Sequence, residues 1–105
     1  MNFCQLLLTV GNKTEADSIA GALLNKKLVA CIKQLPVSSA FRWQGKIENN
    51  DEILLMMDSR DDLFEQVEAE VAKIHSYDTF VLQAVPVTKI SKDAIKWLSS
   101  ELGDE

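Results

Sequence analysis

Alternating hydrophobic and polar residues dominate the middle of the chain, where residues 41–48 predict an extended strand. Phe41 and Trp43 stand two residues apart, so both side chains are expected to face one side of that strand. The polar residues of the stretch are expected to face the other side: Arg42, Gln44 and Lys46. Residues 49–51 then favour a turn before the apolar run 53–57. The pattern predicts a hairpin with arms of about 8 to 10 residues, longer than usual strands, and an edge that a partner chain covers.

Three other apolar runs predict strands, over residues 3–10, 28–35 and 77–87. Proline lacks the N–H that a strand ladder needs, so it marks a strand end, an edge or a bulge. Pro36 is expected to stop the second of these strands, and the third is expected to end near Pro86.

Hydrophobic residues at helical spacing predict three helices. Thr14 is expected to cap the first helix, and Ser59 with Asp62 marks the start of the second. Ser91 is expected to cap a short last helix, and residues 103–105 form a frayed tail. The apolar faces comprise Ala16, Ile19, Ala20, Leu23 and Leu24, then Leu63, Phe64, Val67, Val71 and Ile74, then Ile95, Trp97 and Leu98.

The predicted order is strand, helix, strand, strand, helix, strand, with a terminal helix. This βαββαβ order is typical of a ferredoxin-like α+β sandwich, in which a four-stranded antiparallel sheet carries both helices on one face. The other sheet face is too apolar to remain in water, so we expect further copies of the chain to cover it.

Composition limits the classes of function. The 105 residues form one predicted domain, 1–105, and the net charge of −5 argues against binding to nucleic acid or acidic membranes. Cys4 and Cys31 are too few for a secreted disulfide framework, and no apolar run approaches a membrane span. The amino terminus has no basic residue before its apolar stretch and is interpreted as a first strand, not a signal peptide. We therefore expect a cytoplasmic protein.

Four short motifs of the chain match the pattern of one known family. Its Ala-Ala-Cys-Val-Asn-Ile-Leu-Pro corresponds to residues 29–36, and Tyr-Arg-Trp-x-Gly-Lys-Ile corresponds to residues 41–47. Its His-Pro-Tyr-Glu corresponds to residues 75–78, and Leu-Pro-Val to residues 85–87. On these motifs the chain resembles the CutA family of divalent-cation tolerance proteins. The likeness extends over essentially the whole chain, and the Arg-Trp-x-Gly-Lys-Ile motif is specific in this context.

The resemblance implies a ferredoxin-like subunit in a tight homotrimer, in which the long hairpin extends a neighbour's sheet. This architecture is similar to that of the PII nitrogen-signalling proteins. The resemblance also implies a link to tolerance of copper and other divalent ions, which some family members bind. The chain departs from the family pattern at Lys33, Ser76, Asp78 and Val81. Losing a carboxylate at Val81 and gaining a cation at Lys33 both make a metal site weaker.

Cys31 and His75 are the candidate soft or borderline metal ligands, with Asp78 completing the set. A thiolate with an imidazole suits copper or zinc, although one of each falls short of a closed zinc site unless three-fold repetition supplies more. The alternatives stay open: Cys31 as a small buried hydrophobe, and His75 bonding the last carbonyls of a helix. Other acidic residues are spaced like helix and turn surface: Asp51, Glu52, Asp61, Asp62, Glu65, Glu68 and Glu70.

The remaining candidates point to an interface. Trp43 and Phe41 are expected to anchor contacts between subunits, and Tyr77 to pack with its hydroxyl on a partner. Arg42 and Lys46 either pair with acidic groups across the boundary, bind an anion or stay solvated. With one histidine, no P-loop and no nucleophile motif, the chain is not expected to be an enzyme.

Three hypotheses follow. The first is a homotrimer that binds divalent transition metal, copper foremost, buffers or senses it, and has no organic cofactor. The second is a PII-like regulatory or scaffold trimer that binds a small metabolite or partner protein in the clefts between subunits. The third is a purely structural role, in which a rigid trimer anchors or assembles partner proteins.

Overall fold

The computed structural model describes residues 2–103 and has the predicted element order. Strands alternate with helices along the chain, and a short 3₁₀ helix, Asp61–Leu63, leads into the second helix. The elements are β1 Phe3–Val10, α1 Lys13–Asn25, β2 Cys31–Trp43, β3 Lys46–Arg60, α2 Phe64–Ile74, β4 Leu82–Pro86 and α3 Lys92–Glu101.

The strands form one antiparallel sheet in the order β2-β3-β1-β4. Along β1, every second side chain is buried beneath the helices. These residues pack with the buried faces of α1 and α2 in a single hydrophobic core, so both helices lie on the same face of the sheet. The ferredoxin-like α+β fold is therefore confirmed. We call the face that carries the helices the covered face, and the opposite one the open face.

The hairpin of β2 and β3 is longer than predicted, and its turn lies elsewhere. Trp43 pairs with Lys46, so the turn is Gln44-Gly45 and not residues 49–51. Both turn residues have positive φ, 51° and 79°, which is the conformation that joins twisted strands most directly. The chain therefore reverses earlier, and Lys46 shares a face with Trp43 instead of lying opposite it with Arg42.

Pro36 does not end β2, which continues to Trp43. The prediction was wrong because β2 is an edge strand, where a missing N–H costs no ladder bond. β1 pairs with β3 only from Ile53 to Arg60, so the distal hairpin has no strand beside it but its own partner. The subunit is accordingly elongated, with extents of 44 × 26 × 21 Å.

Several predicted boundaries shift. The cap of α1 is Asn12, whose side chain accepts the Glu15 N–H at 2.9 Å, and not Thr14. Ser59 lies buried in β3, where its hydroxyl donates to the Leu28 carbonyl at 2.7 Å, so it does not start a helix. β4 is shorter than residues 77–87 because the segment before Leu82 follows the end of α2 without joining the sheet.

The carboxyl-terminal segment is fixed at Gly103, contrary to the predicted frayed tail. Its N–H donates to the Lys27 carbonyl at 2.8 Å, and its carbonyl accepts from the Arg60 guanidinium at 2.7 Å. Residues 104 and 105 of that tail lie outside the described residues. On α3, Leu98 is buried as predicted, whereas Ile95 and Trp97 remain exposed. No helix within residues 2–103 is long and apolar enough to cross a membrane.

Candidate functional site

His75 is the residue immediately after α2, as the sequence predicts, and its side chain is fully buried. The ring Nε2 lies 2.9 Å from the Thr9 carbonyl, which can only accept, so Nε2 carries a proton and donates it. The ring Nδ1 accepts the Tyr77 N–H at 3.1 Å. Nδ1 also lies 3.3 Å from Glu15 Oε1, so both ring nitrogens are engaged in holding the segment after α2 against the end of β1. In this arrangement neither nitrogen has a lone pair available to a metal.

Glu15 strengthens the same junction from the first turn of α1. Its carboxylate accepts the Ser76 N–H at 2.6 Å and the Ser76 hydroxyl at 2.9 Å. A proline at position 76, as in the CutA motif, has no N–H to donate. The replacement by serine thus adds a charge-assisted bond between the start of α1 and the end of α2.

Cys31 opens β2 and is half-buried on the open face, opposite Asp58 of β3. The Lys33 ammonium donates to its sulfur at 3.8 Å. Asp58 also accepts a hydrogen bond from the Gln5 side chain on the same face. Cys31 is therefore a thiol flanked by charged and polar groups, unlike the buried hydrophobe of the alternative interpretation.

Cys4 is the second free thiol and lies in the core on the covered face. Burial raises the pKa of its thiol to about 11, and the nearby Asp61 and Asp62 carboxylates act in the same direction. Since the thiolate is the metal-binding form, Cys4 is unsuited to metal at neutral pH.

The proposed ligands Cys31, His75 and Asp78 do not converge within one subunit. Cys31 is level with Gln5 of β1 across the sheet. His75 instead contacts Thr9, which lies about 13 Å from Gln5 along that strand. Asp78 is exposed in the segment between α2 and β4. Within residues 2–103, no three His, Cys, Asp or Glu side chains are grouped as a metal site requires. The ligand set stays a prediction that needs more than one subunit.

The predicted interface residues do share one region. Phe41 and Trp43 project from the open face of β2 and remain 37% and 43% exposed. Tyr77 lies beside them, in a surface groove of about 460 Å³ that these rings line. Arg42 and Lys46 are exposed at the distal hairpin. We call the groove lined by Phe41, Trp43, Tyr77 and Glu52 the aromatic groove.

Glu52 is the functional candidate that the sequence interpretation missed, because it was assigned to the exposed turn surface. It lies within β3 opposite Val37, and only 7% of its surface is exposed. The Tyr77 hydroxyl donates to its Oε2 at 2.7 Å. Desolvation and this hydrogen bond raise the pKa of Tyr77 to about 12, so the phenol keeps its proton and remains a donor. A correct placement of the turn at Gln44-Gly45 would have put Glu52 inside a strand.

Comparison with known proteins gives a consistent result. The family model for the CutA1 divalent ion tolerance protein matches residues 4–101. A divalent-cation tolerance protein CutA of Archaeoglobus fulgidus is 37% identical over 93 residues, which cover 89% of this chain and 91% of the relative.

Solved structures agree with the sequence comparison. A structure described as the periplasmic divalent cation tolerance protein CutA of Archaeoglobus fulgidus superposes with a TM-score of 0.92 at 34% identity, covering 94% of this chain and 97% of that one. CutA1 from Oryza sativa superposes with a TM-score of 0.95 at 26% identity, covering 100% and 97% of the two chains.

Proposed function

Because the chain belongs to the CutA1 family of divalent ion tolerance proteins, we propose that it is a homotrimer that binds divalent transition metal, copper foremost. Family membership supports a role in metal tolerance. The trimer, the choice of copper and the ligand residues are the parts of the proposal that require experiments.

The exposed hydrophobic side chains of the open face support oligomerisation. Leu35, Phe41, Trp43 and Val85 are each more than a third exposed and all belong to that face by strand register. Burying each of them against a neighbour contributes about 1.5–3 kcal/mol for side chains of this size. Together they give the open face an apolar surface that an interface between copies would bury.

Cys31 is the observation that carries the metal proposal. Its sulfur is half-buried on the same open face, opposite the Asp58 carboxylate, and thiolate is a preferred ligand of copper and zinc. One subunit offers too few ligands there, so we propose that neighbouring subunits complete the shell with their own Cys31 or with Asp78. His75 would become a metal ligand only if its ring gave up its hydrogen bonds to Thr9 and Tyr77.

Elemental analysis and copper titration of the purified protein test this proposal. We expect Cys31→Ser to abolish or strongly weaken copper binding, and Cys4→Ala, which removes the buried thiol, to leave it unchanged. His75→Ala is expected to reduce thermal stability more than copper affinity, because both ring nitrogens serve the fold. Equal copper affinity in wild type and Cys31→Ser would refute Cys31 as a ligand.

We also propose a cytoplasmic, non-catalytic role. The two cysteines are free, which suits a reducing compartment, and the single histidine is committed to structural hydrogen bonds. Cell fractionation with an antibody to the protein tests the location; recovery in a periplasmic or secreted fraction would contradict it.

The aromatic groove favours a second function, that of a regulatory trimer that binds a small metabolite between subunits. Its volume lies within the range of small-molecule sites, and aromatic rings form its walls. Ligand-dependent quenching of Trp43 fluorescence without any metal requirement would distinguish this function from the first.

A further inference from the structure

The Glu52 carboxylate is buried without a cation. Among residues 2–103 its one hydrogen bond comes from the Tyr77 hydroxyl, and no lysine, arginine or histidine forms an ion pair with it. A carboxylate has about four acceptor positions, and burying one is costly unless it is paired. Tyr77 satisfies one position of a group that is only 7% exposed. The Glu52 carboxylate therefore has unused acceptor positions in the aromatic groove, and a positively charged group could pair with them.

The walls of the groove suit the same kind of ligand. Phe41 and Trp43 present their rings from alternate positions of β2, and Tyr77 faces them from the segment after α2. The negative faces of aromatic rings attract cations within about 6 Å, and tryptophan is the strongest of them. A positive group seated against Glu52 would thus contact rings on its other sides.

Charged side chains of both signs surround the groove. Glu48 pairs with Phe41 in the sheet register and points to the same face as Glu52. Lys46 pairs with Trp43 on that face, and Arg42 also lines the groove. Within residues 2–103, neither of these basic side chains forms an ion pair with Glu52. A bare metal ion does not suit this place, because hard ions need several oxygen ligands and no group of three acidic, histidine or cysteine side chains occurs in the described chain.

We propose that the aromatic groove binds a small organic cation, an alkylammonium or guanidinium compound, whose charge pairs with Glu52 while its carbon substituents pack on Trp43 and Phe41. This inference names the ligand class for the second function proposed above and does not depend on metal binding. The hydroxyl of Tyr77 orients the carboxylate toward the ligand by occupying Oε2.

Titration with choline, and with its uncharged carbon analogue 3,3-dimethylbutan-1-ol, tests the proposal at constant ionic strength. The Trp97→Phe variant leaves Trp43 as the single tryptophan, so emission changes report on the groove. We expect saturable quenching by choline and none by the alcohol. Glu52→Gln keeps an acceptor for Tyr77 but removes the charge, and is expected to weaken choline binding at least about tenfold. Glu68→Gln, at an exposed position of α2, is the matched control and is expected to bind choline as the parent does.

Three results would overturn the inference. The first is equal response to choline and the alcohol, and the second is unchanged choline affinity in Glu52→Gln. The third is dissociation of the assembly by Glu52→Gln alone, which would mean that a basic side chain of another copy occupies the groove. Copper content measured on the same samples separates this outcome from the metal proposal, because Glu52→Gln is not expected to change it.

Discussion

The two faces of the sheet are both rich in apolar side chains, but they end in different surroundings. On the covered face, Leu6 is 0% exposed beneath α1 and α2. On the open face, Leu35 of β2 is 42% exposed. α1 and α2 cover one face only, and under the proposal above other copies of the chain cover the other. Under that proposal, the comparison separates residues that make the subunit fold from residues that make it assemble.

The largest expected difference between the faces is in the loss of stability when a leucine is replaced by alanine. Leu6→Ala removes buried methyl groups and should lower the free energy of unfolding by about 2–5 kcal/mol at any protein concentration. Leu35→Ala should lower stability mainly at low protein concentration, because it weakens association between copies. Urea unfolding at several concentrations measures both effects.

Leu24→Ala is the matched control for this pair, since Leu24 on α1 is 43% exposed but lies on the helical side. The Leu24→Ala substitution should change the free energy of unfolding little, and this change should be the same at every protein concentration. The same concentration dependence for Leu24→Ala and Leu35→Ala would remove the distinction between the faces.

The hairpin turn provides the next effect in size. Gly45 has φ of +79°, where an alanine is strained, so Gly45→Ala should destabilise the protein by about 1–2 kcal/mol. Gly21 lies inside α1 with open space where an alanine methyl group would sit, so Gly21→Ala should stabilise by about 0.5–1 kcal/mol. Thermal unfolding of both variants checks the opposite signs; a neutral Gly45→Ala would contradict the assigned turn.

A further effect appears only in alkali, where one group on each face titrates. The pKa of Cys4 on the covered face rises from 9.0 to about 11, and that of Tyr77 beside the open face rises from 10.0 to about 12. A raised pKa favours the protonated folded state, so each contribution is complete below the unfolded pKa and is lost as pH rises through the folded one.

Stability should therefore be level up to about pH 9 and then decline toward pH 12. Cys4→Ala should remove the part of this decline between pH 9 and 11, and Tyr77→Phe the part between pH 10 and 12. Chemical denaturation across this range measures the profiles. A decline that neither variant alters would show that these groups do not cause it.

Local patterns predicted the fold well where they were strong. The first strand matches residues 3–10 at both ends because an apolar run meets Gly11-Asn12. The hairpin turn was misplaced because Gln44 is an uncommon residue at positive φ, whereas Asn49-Asn50-Asp51 has typical turn composition. Pairing over the whole length of β2 and β3 decided the outcome, and that information is not local.

The candidate site was harder to predict for the same reason. The position of His75 after α2 was predictable from helical spacing, but its partner Thr9 lies 66 residues away in the chain. Glu52 looked like surface because its burial depends on Tyr77, 25 residues later. Convergence of Cys31 with other ligands depends on the arrangement of several copies, which no pattern within one chain specifies.

Sedimentation velocity at low micromolar concentration tests the central claim most directly, namely that other copies of the chain cover the open face. The account predicts one species of three times the 11.7 kDa chain mass, and a smaller, less stable species for Trp43→Ala. A well-folded 11.7 kDa monomer for the unmodified protein would contradict it.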